Sequence, residues 1–172
     1  VLAHFGLPKD LVTGVALLTS PSASHMGQAM WGERLIGMSQ SALDTLKGPD
    51  DTDAYKLAEH VVFHELMHVI DAYSSTDVTR PSSTTSELFS NDPLDNGLIY
   101  NEVIAATEAD PQLKADMEYV LSYDNIEEQH KMPVEFFAEI GAMYLRDQEG
   151  TRKLFPEGVK YVEKIIEQAG GK

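Results

Sequence analysis

The stretch from Asp53 to Tyr73 constrains this chain most. It has helical character throughout, and its apolar residues Leu57, Val61, Leu66, Val69 and Ile70 are spread around the helix instead of along one stripe. A helix apolar on nearly every face is buried, so this segment is expected at the centre of the fold. Its start is marked by a break, Gly48-Pro49-Asp50-Asp51. Thr52 and Asp53 follow, and both can accept the free N–H groups that open a helix.

Around that helix the chain has 172 residues, the size of one domain, with 42% hydrophobic and 24% charged residues. That is a globular composition with enough apolar surface for a core. Val12–Leu18, closed by Ser20-Pro21-Ser22, and Arg34–Met38 read as strands. Ser22–Trp31, rich in small residues and Met, reads as a loop, and so does the polar stretch Ser74–Asn96. Leu98–Ala109, Gln112–Leu121, Val134–Arg146 and Gly158–Gln168 read as helices. Strands first and helices later predict an α+β fold in a single domain, 1–172. It would carry a small N-terminal sheet, a central helix and a mainly helical C-terminal half.

The charge narrows the function classes. Thirteen Lys and Arg against 28 Asp and Glu give a net charge of −15. Such a surface repels phosphate backbones and anionic lipid, so no nucleic-acid partner is expected. No apolar run reaches the ~18 residues of a membrane span, so no membrane insertion is expected either. With no cysteine, disulfides, thiol nucleophiles and Cys-based zinc fingers are excluded. The chain opens at Val1 without a basic-then-apolar leader, which reads as a mature protein or an excised domain.

On the central helix lies His64-Glu65-Leu66-Met67-His68, an H-E-x-x-H motif. Four residues advance a helix by about 400°, so both imidazoles lie on one side, a turn apart, and can share one metal ion. Glu65 stands beside the first ligand, placed to accept a proton from a metal-activated water and not to bind the metal itself. His60 also precedes His64 by four, but no Glu follows it, and it reads as a packing group or one behind the ligands. Asp71, three residues after His68, points partly away and reads as a supporting or helix-packing group.

Catalytic zinc takes three protein ligands and keeps one position open. The third ligand must come from elsewhere, because position 74, where a metzincin would carry its third His, is Ser74. The best candidate segment is Pro133-Val134-Glu135-Phe136-Phe137-Ala138-Glu139-Ile140-Gly141-Ala142-Met143-Tyr144-Leu145, apolar except for two carboxylates four residues apart. Burying two carboxylates is costly unless something positive meets them. Glu135 as metal ligand and Glu139 as acceptor for a ligand histidine N–H would satisfy both.

HELMHVID followed by EFFAE resembles the gluzincin endopeptidases of the anthrax lethal factor and Pro-Pro endopeptidase type. The likeness covers Ala58–Tyr73 and Pro133–Ile166. It implies a zincin-like fold and a zinc endopeptidase with Zn²⁺ held by His64, His68 and Glu135. Glu65 matches the general base, and Glu139 the second acidic residue. The family carries a transition-state tyrosine about seven residues before the ligand Glu, where this chain has Glu128. Ser122-Tyr123 resembles the family's Ser-Tyr pair but sits further upstream, and Tyr123 is assigned that role. Tyr100, Tyr119, Tyr144 and His130 compete for it.

The resemblance further implies a peptide or protein substrate, a secreted or delivered enzyme, and proline-directed specificity as one option; a monomer is expected. An extended substrate would pair along an exposed strand edge, for which Arg34–Met38, near the tryptophan Trp31, is the candidate. The alternative is a degenerate gluzincin fold that binds a partner and keeps zinc for structure only; the intact Glu65 argues against it.

Overall fold

The computed structural model describes residues 2–18, 26–74, 93–121 and 132–170. Its N-terminal part holds a three-stranded sheet, β1 (Gly14–Leu17), β2 (Gly27–Met30) and β3 (Leu35–Met38), in the order β1-β3-β2. β3 pairs parallel with β1, Gly14 opposite Leu35, and antiparallel with β2, Gly27 opposite Met38. A short 3₁₀ turn, Trp31–Glu33, links β2 to β3. Arg34 closes it at φ 54°, a left-handed conformation uncommon outside glycine. The side chain of Trp31 lies outside the described residues.

Among the described residues, the helices are α1 (Gln40–Thr45), α2 (Asp53–Ser74), α3 (Pro93–Ala109), α4 (Pro111–Asp116), α5 (Glu118–Leu121), α6 (Met132–Arg146), α7 (Gln148–Leu154) and α8 (Pro156–Gly170). The α+β expectation holds, with helix dominating. The segment read as one helix over Gln112–Leu121 divides at Met117, and α1, α7 and the 3₁₀ turn Leu2–Phe5 were not anticipated. Residues 75–92, most of the stretch read as a loop, lie outside the described residues. Among those described, no helix is long and apolar enough to cross a membrane.

Local chemistry accounts for the helix starts. Thr52 Oγ1 accepts the Tyr55 N–H at 3.1 Å, the cap expected for α2. Asp110 caps α4 ahead of Pro111, and Asp147 caps α7 by accepting the Gly150 N–H at 2.9 Å. The start of α8 is capped from a distance: the Glu102 carboxylate on α3 accepts the N–H groups of Glu157 and Gly158, each at 3.0 Å. A negative charge there also suits the positive end of the helix dipole.

α2 is central, as its apolar distribution requires. Leu66, Met67, Val69 and Ile70 are buried against Phe136, Phe137 and Ile140 of α6 and join Val162, Ile165 and Ile166 of α8 in one core. α6 comes close enough that a Cβ on Gly141 would lie 2.6 Å from Met67 Cγ. On its other side α2 packs against β2 and β3.

One placement is corrected. β3, within Arg34–Met38, is the middle strand with partners on both sides, so it offers no free edge. The edge beside α2 belongs to β2, inside the stretch read as a loop. Gly-Gln-Ala-Met carries no β-branched or aromatic residue, so its strand character comes from pairing with β3 and packing on α2 and not from propensity.

Candidate metal centre

Two helix faces meet here, and the spacing on each is four residues. α2 presents His60, His64 and His68, and α6 presents Glu135 and Glu139. Set side by side, they interlock as a chain of alternating rings and carboxylates. Glu135 Oε2 lies 3.1 Å from His64 Nε2, and its Oε1 lies 3.8 Å from His68 Nε2. Glu139 Oε2 lies 3.1 Å from His64 Nδ1, and its Oε1 lies 2.8 Å from His60 Nε2. The His64 and His68 rings meet edge to face at 79°, their Nε2 atoms 3.2 Å apart. His64, His68 and Glu139 are buried, while Glu135 is half-buried.

Burial alone would weaken the charges on His64, Glu135 and Glu139, yet the pairing wins. Burial pushes the His64 imidazolium down, but hydrogen bonds to Glu135 and Glu139 hold it up at about 10. Burial likewise pushes the Glu135 and Glu139 carboxyls up, but hydrogen bonds from His64 and His68, and from His60 and His64, bring each down to about 2.

The donor set fits a divalent metal. One atom each of His64, His68 and Glu135 lies within 4.8 Å of the others, the group among the described residues that could hold an ion. Zinc–ligand bonds of about 2.0–2.1 Å in a tetrahedron place neighbouring donors about 3.3–3.4 Å apart. The 3.1 Å from His64 Nε2 to Glu135 Oε2 and the 3.2 Å between the two Nε2 atoms lie close to that edge, while His68 Nε2 stands 3.8 Å from the other Glu135 oxygen. Three ligands of this kind would leave one tetrahedral position open. The Glu139 carboxylate on His64 Nδ1 is the hydrogen bond that presents Nε2 toward a metal. His68 Nδ1, buried, has no hydrogen-bond partner among the described residues, so Asp71 does not serve it there. Asp71 itself is 1% exposed within α2.

Glu65 takes a different place. Its carboxylate accepts the Ala29 N–H of β2, and its stem lies against Gly27. Burial raises its pKa, and the His68 and His64 imidazoles together with the Ala29 N–H only partly offset this. A half-buried carboxyl whose pKa is raised by burial, beside His64 and His68 and at a strand edge, can act as a general base.

Tyr123 lies outside the described residues, as do His130 and the side chains of Tyr100 and Tyr119. Tyr144 is described, and its hydroxyl donates to Glu163 at 2.8 Å on the α8 side of α6, beside Arg152. Sequence reasoning missed the strand character of β2 and the link from His60 to Glu139. The available signal for the link was periodic: histidines at 60, 64 and 68 match glutamates at 135 and 139. No protein-family model, curated protein or solved structure matches this chain.

Proposed function

We propose that this chain is a zinc-dependent endopeptidase with a zincin-like fold of the gluzincin type. The observation that carries the reading is the convergence of His64, His68 and Glu135, one donor atom of each within 4.8 Å of the others, with Glu65 beside them but turned to the β2 edge. A site built only for structure has no use for a half-buried carboxylate held at that place.

His64, His68 and Glu135 would hold the metal. When bound, zinc supplies Lewis acidity, polarising a peptide carbonyl and lowering the pKa of water. Glu65 takes the proton from the attacking water as its oxygen bonds to the carbonyl carbon. Glu65 then returns that proton to the leaving amine as the C–N bond breaks. Tyr123 is proposed as the phenol that donates to the developing oxyanion. β2 is an edge strand, so an extended peptide can add to it, with alternate side chains facing the two sides. That alignment brings the peptide backbone past Glu65.

Metal stoichiometry tests the reading. Full-length protein loaded with zinc and dialysed should retain one ion per chain, and His68→Ala and Glu135→Gln should retain far less. Equal zinc in all three proteins, or none in any, would sink it.

A further inference from the structure

We propose that His60 is a positioning residue of the metal site, acting through Glu139 on His64; this rests on the zinc reading above. The geometry is a bridge. Glu139 spans two rings one turn apart on α2, with Oε1 2.8 Å from His60 Nε2 and Oε2 3.1 Å from His64 Nδ1. A carboxylate held through one oxygen keeps a broad, roughly two-fold rotation about its last torsion. Held through both, it has one orientation, and the bond that aims His64 is fixed with it. Because both rings belong to the same helix, the spacing of α2 sets the bridge.

The surroundings argue that this bond matters. Glu139 is 7% exposed and flanked along α6 by the buried Phe136, Phe137, Ala138 and Ile140. Its second carboxylate oxygen has the His60 ring and the neighbouring cavity to turn to, and the ring supplies the shorter, charge-assisted bond. The His60 side chain is 22% exposed and borders a cavity of about 390 Å³, lined also by Lys56, Leu57, Leu113, Met143 and Glu139. A histidine free to hydrate from that cavity instead turns inward to the carboxylate. Partners one step behind a metal ligand typically change affinity by about 10–100-fold when lost. His60 is one step further back, so an effect at the lower end follows.

The test measures zinc affinity by chelator competition, and metal-free melting temperature, for the full chain, His60→Phe and His60→Gln. Phenylalanine keeps the ring and removes the donor, whereas glutamine restores an N–H donor to Glu139. The expected result is about tenfold weaker zinc binding for His60→Phe and near-wild-type binding for His60→Gln. If His60→Phe does not fold, His60→Ala, which only enlarges the neighbouring cavity, carries the same expectation. Wild-type affinity in the donorless variant would overturn the proposal, and so would equal losses in His60→Phe and His60→Gln. A wild-type chain that binds no zinc would overturn the proposed function itself, an outcome distinct from both.

Discussion

Glu65 lies directly over Gly27. A Cβ built on Gly27 would sit 2.8 Å from Glu65 Cγ and 3.1 Å from Oε1, with Val61 Cγ1 at 2.5 Å. The two distances to carbon are shorter than carbon atoms tolerate, so a side chain at position 27 must push α2 away or turn Val61 and Glu65 out of place. Absence of a side chain at one strand residue therefore sets where the proposed base stands.

Gly27→Ala should accordingly damage turnover more than metal binding. A misplacement of about 1 Å at a reacting group costs on the order of 10²-fold in rate, and that is the expected loss in kcat/KM. Zinc affinity should change little, because the atoms nearest a Cβ at Gly27 belong to Val61 and Glu65 and not to the three proposed ligands. Parallel loss of zinc and activity in this variant would mean that the glycine supports the helix and not the base.

Zinc should stabilise the fold, since its proposed ligands come from two helices distant in sequence and the unfolded chain offers no such arrangement. At free zinc ~100 times the dissociation constant, the gain is about 2.7 kcal/mol. Melting temperature should rise on loading, fall back with chelator, and stay unresponsive in Glu135→Gln. An identical response in Glu135→Gln would remove Glu135 from the ligand set.

With metal removed, the cluster predicts a defined pH dependence. His64 is held up at about 10 from an ordinary 6.5. Its contribution is complete below about pH 6.5 and disappears as pH rises through about 10. Glu135 and Glu139 are held down at about 2 from an ordinary 4.5, so their contribution is present above about pH 4.5 and lost as pH falls through about 2. The network therefore stabilises most between about pH 4.5 and 6.5. Melting of chelator-treated protein across pH checks this, and stability rising steadily from pH 6.5 to 10 would contradict it.

The legibility of this site in the sequence follows from what kind of geometry each part uses. His64 and His68, like Glu135 and Glu139, are related by the helix repeat, and a spacing of four is enough to put each pair on one face. The cap on Thr52 was readable for the same local reason. β2 was not readable, because Gly27–Met30 has no strand-forming composition and acquires its structure from β3 and α2. The bond from His60 to Glu139 joins residues 79 apart, and neither side chain announces the other. The break at Met117 between α4 and α5 has no Gly or Pro to mark it.

The most direct test of a zinc endopeptidase with Glu65 as its base is cleavage of a diverse peptide library, read by mass spectrometry. Zinc-loaded protein is compared with zinc-loaded Glu65→Gln. The account predicts internal cuts by the intact protein, slowed by about 10²–10⁴-fold in the variant while its zinc content is unchanged. Cuts of equal rate in both proteins, or no cuts by a chain carrying one zinc, would contradict it.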